Sequence, residues 1–351
     1  MTNIALDAMG GDKAPAEIVR GAVDAALGFD AVKIFLVGQE DQIEVEFKKY
    51  PDEAKKAIDA GKLEVVHAPD VAEMDESPVN AVRHKKNCSI NVAMRLVKEG
   101  KANAMVSAGN SGAVATSAIL TLGRIPGVMR PAIATMIPTK VADRPILVLD
   151  AGANMDCHPD WIVQFAVMGS AYSKTVLNRE NPTVGLVSIG TEDCKGNEMT
   201  KSTFPLLKKS AINFIGNIEG HDICEGQTDV AVCDGFVGNV ILKTAESIAH
   251  AIGSWLKKEF TKSFFRKIGA LMLKGAFKAL KTQMDPEIYG GAPLLGVPGA
   301  VIITHGSSSR KAIFHAVRVA QTAAANDMTG EIARRIAENE KLHAPIPEGV
   351  N

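Results

Sequence analysis

The sequence has few of the residues that build disulfide frameworks or zinc sites. Its five cysteines are odd in number and widely spaced, without a Cys-x-x-Cys pair or a Cys/His cluster. This pattern predicts reduced thiols and no metal site. The first residues also lack a basic segment followed by an apolar run, so the sequence predicts no secretory signal and a cytoplasmic protein.

The chain has almost no excess of charge of either sign. There are 39 lysines and arginines against 40 aspartates and glutamates, which gives the whole molecule no attraction to nucleic acid or to an anionic membrane. Residues 102–123 and 288–309 carry no charge and are long enough to cross a bilayer, but glycine, proline, serine or asparagine interrupts both. We therefore predict no membrane-spanning helix.

Three phosphate or nucleophile motifs are absent as well. The sequence contains no G-x-G-x-x-G loop, no G-x-x-x-x-G-K-[ST] loop and no G-x-S-x-G elbow. These absences argue against a standard dinucleotide-binding fold, a nucleoside triphosphatase and an α/β-hydrolase. A β-decarboxylating dehydrogenase would need a metal-binding aspartate cluster, which is not evident either.

What is present is a regular alternation of β-rich runs and helical patterns. Several of the runs are apolar throughout, as in strands that helices cover on both faces. We predict an α/β fold: a three-layer α/β/α core around a largely parallel sheet. The predicted strands are residues 4–6, 32–37, 63–66, 104–106, 133–137, 146–149, 184–189, 212–215, 230–232 and 301–303.

One segment departs from this alternation. Between residues 234 and 300 the sequence shows no convincing strand, and residues 240–284 have a helical pattern with a predicted break at Gly269. Between residues 254 and 284 there are eight lysines or arginines and one glutamate, and the basic residues lie opposite two apolar stripes. We define residues 246–298 as the basic arm, inserted into a core formed by residues 1–245 and 299–351. Its second apolar stripe ends at Met284.

Glycine-rich and polar loops follow several predicted strands. Ligands of parallel sheets bind at the carboxyl ends of strands, where helix N-termini present free N–H groups. Residues 107–113, 190–196 and 304–310 therefore predict an anion site, although serine and asparagine also cap helices in the absence of any ligand. Carboxylates at strand ends, among them Asp7, Asp150 and Asp234, have the same alternative role. Lys195 and Lys243 are placed to neutralise an anion, or are simply solvated.

Seven short motifs together resemble the bacterial PlsX family of phosphate acyltransferases. They occur in the family's order, cover nearly the whole chain and are very specific as a set. Ser111 stands where the family commonly has threonine, and the hydroxyl is retained. The motifs are residues 7–12 (DAMGGD), 107–113 (SAGNSGA), 149–154 (LDAGAN), 189–192 (IGTE), 217–220 (NIEG), 234–240 (DGFVGNV) and 290–296 (GGAPLLG).

The resemblance implies a homodimer with a Rossmann-like core similar to those of isopropylmalate dehydrogenase and phosphate acetyltransferases. It implies transfer of a fatty acyl group from acyl-carrier protein to inorganic phosphate, without a cofactor. The product, an acyl phosphate, would serve phospholipid (phosphatidic acid) synthesis through coupling to the acyl-phosphate:glycerol-3-phosphate acyltransferase PlsY. The resemblance also implies peripheral association with the membrane, which is typical of the family.

The residues suit this chemistry, because phosphate is already anionic and needs bound cations and N–H donors more than a base. We expect Asn110, Ser111 and the following amides to bind phosphate, and Lys195 and His305 to stabilise developing charge. The candidate catalytic residues are Lys195, His305, Asn239 and Asp234. The candidate substrate-binding residues are Asp7, Gly10, Gly11, Asn110, Ser111, Gly112, Asn154, Thr191, Glu192, Asn217, Glu219, Lys243, Ser307 and Ser308.

The basic arm has three possible uses: contact with an anionic membrane, docking of an acidic carrier protein, or dimer and core packing. Two rival functions also stay open, a phosphate acyltransferase that uses coenzyme A thioesters and a membrane-recruited scaffold. The candidate membrane or partner residues are Lys258, Phe260, Lys262, Phe264, Arg266, Lys274, Phe277 and Lys278.

Overall fold

The computed structural model describes residues 1–283 and 285–343, apart from the side chains of Lys281 and His343. Met284, the last residue of the second apolar stripe, lies outside the described residues. The strands are β1 (Thr2–Asp7), β2 (Val32–Gly38), β3 (Leu63–His67), β4 (Ala104–Ser107), β5 (Ala132–Ile137), β6 (Ile146–Leu149), β7 (Thr183–Val187), β8 (Asn213–Ile218), β9 (Val230–Val232), β10 (Ala292–Leu295) and β11 (Ala300–Ile303).

The helices alternate with these strands through most of the chain. They are α1 (Ala16–Gly28), α2 (Glu40–Phe47), α3 (Pro51–Asp59), α4 (Pro78–His84), α5 (Ser89–Lys98), α6 (Ser111–Thr121), α7 (Pro159–Thr175), α8 (Glu198–Lys208), α9 (Gly235–Thr261), α10 (Phe264–Met272), α11 (Lys274–Gln283), α12 (Arg310–Ala325) and α13 (Met328–His343).

Helices cover both faces of one sheet, which confirms the predicted three-layer α/β core. Successive side chains of a strand point to opposite faces. Accordingly, Ile4 and Leu6 of β1 enter one buried cluster, and Ala5 between them enters another. In β6, Leu147 and Leu149 enter the first cluster, whereas Val148 enters a third.

The sheet is largely parallel, but it contains a reversal that the sequence did not reveal. The strand order is β3-β2-β1-β4-β11-β10-β5-β6-β9-β7-β8. Strands β3, β2, β1, β4 and β11 are parallel to one another, and so are β6, β9, β7 and β8. Between these halves, β10 is antiparallel to both neighbours and β5 is antiparallel to β6. The two halves therefore run in opposite directions, and their carboxyl ends lie at opposite edges of the sheet.

The expectation of no strand between residues 234 and 300 was wrong. β10 pairs with β11 and β5 in the middle of the sheet, so residues 292–295 belong to the core and not to the arm. The strand is only four residues long and follows two glycines with positive φ. It also contains Pro293, and proline argues against a central strand because it lacks an N–H group.

The predicted helix break at Gly269 was also wrong, because Gly269 lies inside α10. The chain breaks instead at Ser263, whose hydroxyl accepts a hydrogen bond from the amide of Arg266 and caps α10. Serine is a favoured N-cap residue, whereas one glycine is tolerated within a helix. A second break follows at Leu273, so the arm contains the end of α9 and the helices α10 and α11.

The helices of the arm make little contact with the core, whereas Asp285 pairs with Lys311 and Glu287 accepts hydrogen bonds from Ser309. Only Gly235 and Gly238 of α9 are buried, and α10 buries none of its residues. Phe260 and Phe277 pack edge to face, with ring centroids 4.8 Å apart, and so join α9 to α11. No helix in the described part of the chain is long and apolar enough to span a membrane.

Candidate functional site

The reversal of the sheet divides the predicted site residues into two sets of loops. We define the first loop group as residues 7–13, 107–112 and 304–309, which follow β1, β4 and β11. The second loop group comprises residues 150–154, 188–196, 217–219 and 233–239, at the carboxyl ends of β6, β7, β8 and β9. Within residues 1–283 and 285–343, no hydrogen bond or ion pair joins the groups. His305 and Lys195 therefore follow strands that run in opposite directions, and the stabilisation of developing charge expected of them stays a prediction.

Asp7 organises the first loop group from within the core. Its side chain is fully buried, Oδ2 accepts a 2.6 Å hydrogen bond from the Ser107 hydroxyl, and Oδ1 accepts one from the Met9 amide. Ser107 Oγ in turn accepts the Gly109 amide at 3.0 Å. Burial raises the pKa of Asp7. The structure thus gives Asp7 a positioning role for two loops, because its carboxylate has no exposed surface with which to contact a substrate.

The two glycines after Asp7 allow these loops to meet. A Cβ atom on Gly10 would lie 2.6 Å from the amide nitrogen of Gly109. Gly11 has a φ of +106°, which disfavours any side chain there. Both glycines are therefore explained by loop packing, and contact with phosphate stays a prediction for them.

Asn110 caps α6, which is the alternative to ligand binding for this residue. Its Oδ1 accepts the amide of Ala113, and its Nδ2 donates to the carbonyl oxygens of Met74 and Glu76. These three hydrogen bonds occupy the carboxamide. Ser111 and Gly112, in the first turn of α6, are exposed, so their amides and the Ser111 hydroxyl are accessible as donors.

His305 and Ser307 form a local pair in the loop after β11. The Ser307 amide donates to His305 Nδ1 at 3.1 Å, and the Ser307 hydroxyl lies 2.8 Å from the same nitrogen. Because a backbone N–H donates to Nδ1, the neutral ring carries its proton on Nε2 and can donate from there. Lys13 Nζ donates to the Ser307 carbonyl oxygen at 2.6 Å. Ser308 is buried.

In the second loop group, Asp150 plays the same organising part as Asp7. Its carboxylate accepts hydrogen bonds from the amides of Ile133, Gly152, Ala153 and Asn154 and from the Asn154 side chain. Burial raises the pKa of Asp150. Asn154 Nδ2 also donates to the Pro131 carbonyl oxygen, so both of its N–H groups are engaged in holding the loop.

The start of α9 packs directly on this loop. The Gly235 amide donates to the Asn154 carbonyl oxygen at 2.7 Å, and Gly238 lies against the Asp150 carbonyl oxygen. Asp234 caps the helix, with its carboxylate accepting the Val237 amide at 2.8 Å. This is the capping alternative for Asp234, and a catalytic role for it stays a prediction.

Two of the predicted catalytic residues keep unused hydrogen-bonding groups. The side chains of Lys195 and Asn239 are exposed and have no ion pair or hydrogen bond among the residues that the structure describes. Asn239 lies beside Gly152, 3.7 Å from the position of a Cβ atom there. Lys243 differs, because its ammonium group pairs with Glu246 at 2.9 Å.

Asn217 ties down the loop that carries Lys195. Its Nδ2 donates to the Glu192 carbonyl oxygen at 2.8 Å, whereas its buried Oδ1 has no hydrogen-bond partner among the described residues. Thr191 and Glu192 are exposed, and the amide of Glu219 donates to Asp222. A cavity of about 440 Å³ adjoins this group, lined by Cys157, Pro159, Asn197, Glu198, Met199 and Ser202.

The candidate residues chosen from the sequence did not include Lys13 or Ser188, and Ser107 was included only as part of the predicted loop 107–113. Ser107 and Lys13 have the structural contacts described above, and Ser188 Oγ is buried without a partner in the described chain. Ser107 is the last residue of β4, and Ser188 follows β7 directly but lay inside the strand predicted over residues 184–189. Lys13 carries no comparable signal. The described residues contain no group of three or more His, Cys, Asp or Glu side chains that could hold a metal ion.

The tip of the arm exposes both apolar and basic side chains. Phe264 is 72% exposed, Phe265 83% and Met272 83%. Lys262 and Arg266 both pair with Glu259. Lys258, Lys274 and Lys278 are exposed and have no acidic partner in the described chain. The alternative that the arm packs on the core of its own chain is therefore not what the structure shows.

Known proteins are similar to this chain over nearly its whole length. The model of a family described as "Fatty acid synthesis protein" matches residues 2–330. A phosphate acyltransferase of Desulfitobacterium hafniense (strain Y51) is 50% identical over 337 residues, 96% of this chain and 98% of the relative. One from Acaryochloris marina is 47% identical over 330 residues, 94% of each chain.

Solved structures with low sequence identity share the fold. The EutD phosphotransacetylase from Staphylococcus aureus has a TM-score of 0.61 at 17% identity, covering 92% of this chain and 94% of its own. A 4-hydroxythreonine-4-phosphate dehydrogenase from Salmonella typhimurium has a TM-score of 0.52 at 12% identity, covering 92% and 99%. These likenesses confirm the Rossmann-like core expected from the sequence.

Proposed function

The chain belongs to the phosphate acyltransferase family and is an enzyme of that kind, and from this premise we propose that it transfers a fatty acyl group from acyl-carrier protein to inorganic phosphate. The acyl phosphate formed would enter phospholipid synthesis, where an acyl-phosphate:glycerol-3-phosphate acyltransferase (PlsY) consumes it.

We place the reacting groups at the second loop group. The observation that supports this choice is the pair of unused donors there, the Lys195 ammonium and the N–H groups of the Asn239 carboxamide. In the first loop group, by contrast, Asp7, Asn110 and Lys13 already hold other parts of the protein. A site that stabilises charge needs donors that are fixed in place and not yet satisfied.

The proposed reaction needs charge stabilisation more than proton abstraction. A phosphate oxygen attacks the thioester carbonyl carbon, and a C–O bond forms as the carbonyl oxygen becomes an oxyanion. The C–S bond then breaks, and the proton of hydrogen phosphate passes to the departing thiolate. Lys195 would hold phosphate and Asn239 would donate to the oxyanion, which together reduce the charge repulsion in this step.

The first loop group has a supporting place in this proposal. Ser111, Gly112 and the Nε2–H group of His305 present donors at the other edge of the sheet. Phosphate binding by Ser111 and charge stabilisation by His305 remain predictions, which substitution of each residue would test separately from Lys195.

For the basic arm we propose peripheral contact with an anionic membrane. The exposed rings of Phe264 and Phe265 at the start of α10, with lysines around them, are typical of a helix that lies in a lipid surface. Docking of the acidic carrier protein on the same lysines, and a dimer contact along α9, are the alternative uses. A cytoplasmic homodimer bound to the membrane periphery is consistent with this arrangement.

The function is tested by mixing purified protein, acyl-acyl-carrier protein and phosphate, and trapping acyl phosphate with hydroxylamine. We expect hydroxamate to form only when phosphate is present, and faster than with acyl-coenzyme A at equal concentration. Equal or faster reaction with the coenzyme A thioester would transfer the proposal to that donor. Hydroxamate that forms without phosphate, or no hydroxamate with either donor, would contradict the proposed reaction.

A further inference from the structure

A second cavity lies well away from both loop groups. Its volume is about 550 Å³, and it is bounded by α7, α13 and the loop before β8. Asn213, the first residue of β8, lines it, whereas Lys195 follows the carboxyl end of the parallel neighbour β7. The cavity therefore lies at the opposite edge of this half of the sheet. In α7, Pro159 lines the cavity beside the second loop group and Lys174 lines this second cavity. At a helical rise of 1.5 Å per residue, the two residues are ~23 Å apart.

Three basic side chains converge on one buried carboxylate at this cavity. Glu331 is 5% exposed and accepts hydrogen bonds or ion pairs from Lys174 at 3.1 Å, Arg334 at 2.5 Å and Arg335 at 2.8 Å. Arg335 also donates to the Ser170 hydroxyl at 2.9 Å. Glu331 and the exposed Glu338 together neutralise two of these three positive charges. One positive charge therefore remains in excess at the cavity.

These cations retain donors beyond those that Glu331 uses. An arginine has five N–H groups in a planar fork and a lysine has three, so Arg334 and Lys174 can bind a second anion while they hold the first. Glu331 restricts the positions of all three cations, which reduces the ordering that a ligand would have to impose.

Asn339 supplies an independent observation at the same place. Its side chain lines the cavity and is 6% exposed, yet its Oδ1 has no hydrogen-bond partner in the described part of the chain. A buried carboxamide with unused capacity is uncommon, because burial without a partner is unfavourable. Because Oδ1 is an acceptor, its partner in a ligand would be an O–H group, such as that of hydrogen phosphate or a hydroxyl of a phosphomonoester.

We propose that this cavity binds a dianionic phosphate group at Lys174, Arg334 and Arg335, with Asn339 Oδ1 accepting a hydrogen bond from an O–H group of the ligand, separately from the acyl-transfer reaction. The shared chemistry is three cationic donors around a compact anion, which is the arrangement that phosphate oxygens favour. The phosphate group belongs either to free inorganic phosphate or to a phosphomonoester. The proposal goes beyond the proposed function and does not depend on it, since it concerns binding alone.

Isothermal titration calorimetry with two probes, inorganic phosphate and glycerol 2-phosphate, tests this site on the full-length protein. The test variant combines Lys174→Gln with Arg334→Gln. Their side chains are 47% and 64% exposed, and Arg335 remains to pair with Glu331, so the fold is expected to persist. The matched control is Lys208→Gln, an exposed lysine outside the cavity.

Inorganic phosphate is also the proposed substrate at the second loop group, so its titrations are fitted with two sites. We expect wild-type protein and the Lys208→Gln control to bind at least one probe saturably at a site where the double variant binds it at least about tenfold more weakly. If the double variant loses binding of inorganic phosphate alone, the ligand of the cavity is free phosphate. If it loses binding of glycerol 2-phosphate alone, the ligand is a phosphomonoester. Asn339→Leu should weaken the same probe. Equal affinity in wild type and double variant, or no saturable binding of either probe by wild type, overturns the proposal.

Discussion

The hydroxyl of Ser107 donates a 2.6 Å hydrogen bond to Oδ2 of the fully buried Asp7 and thereby joins the loops after β1 and β4. Burial raises the pKa of Asp7 above its ordinary value of 3.8. The folded protein therefore holds this proton more tightly than the unfolded chain does. The stabilisation that results is fully present below the unfolded pKa and is lost as pH rises through the folded pKa.

This relationship predicts a pH dependence that Asp7→Asn removes. Denaturant unfolding of wild type and variant from pH 4 upward should show the difference in unfolding free energy, wild type minus variant, falling as pH rises. Burial raises the pKa of Asp150 in both proteins, so the contribution of Asp150 to the unfolding free energy cancels in this difference. A difference that stays constant or grows with pH would contradict the buried, proton-retaining state of Asp7.

A second prediction concerns the contact between α9 and the loop after β6. A methyl group at Gly238 would collide with the Asp150 carbonyl oxygen, which is backbone and cannot rotate away. Gly238→Ala should therefore lower the unfolding free energy by about 1–3 kcal/mol and reduce activity, because Asn239 follows immediately.

Gly253 in the same helix is the matched control. A Cβ atom there meets nothing within 4 Å, so Gly253→Ala should raise stability by about 0.5–1 kcal/mol through the higher helix propensity of alanine. Equal effects of the two substitutions in thermal or denaturant unfolding would mean that α9 does not pack on Asp150 as described.

A third prediction distinguishes the uses of the basic arm. Lys258, Lys274 and Lys278 are exposed without acidic partners, so reversing them to glutamate leaves the Glu259 ion pairs intact. If the arm lies on anionic lipid, each reversal should weaken vesicle binding by at least ~1 kcal/mol at low salt, and carrier-protein affinity should not change.

The control for this experiment is Phe264→Ser with Phe265→Ser, which removes apolar area and keeps every charge. Sedimentation with anionic vesicles should show weaker binding for both sets of variants, and only the lysine effect should shrink at high salt. Carrier-protein affinity that falls while vesicle binding persists would assign the lysines to the carrier.

The sequence predicted most strands because apolar runs between helical patterns are visible without any tertiary information. It did not predict β10, since a four-residue strand containing Pro293 resembles a loop. Nor did it predict the reversal of the sheet, because the residues of a buried strand are the same whichever way the strand runs. That reversal is the reason why His305 and Lys195, which both follow strands, lie at opposite edges.

Local sequence also could not distinguish a cap from a ligand-binding residue. Asn110 and Asp234 both precede helices, and the structure shows both accepting amide hydrogen bonds. Lys195 and Lys243 are equally plausible as anion ligands from their positions, yet only Lys243 has a glutamate one turn away that pairs with it. Such differences depend on neighbours that the fold supplies.

The most direct test of the account is the rate of phosphate-dependent acyl hydroxamate formation by Lys195→Ala. The matched control is Lys208→Ala, a nearby exposed lysine that pairs with Asp193 of the same loop. We expect Lys195→Ala to lose ~10²-fold or more in rate while its unfolding free energy stays close to that of wild type. The control should stay within about twofold of wild type, since exposed ion pairs contribute little. Near-normal turnover by Lys195→Ala would contradict the placement of the reaction at the second loop group.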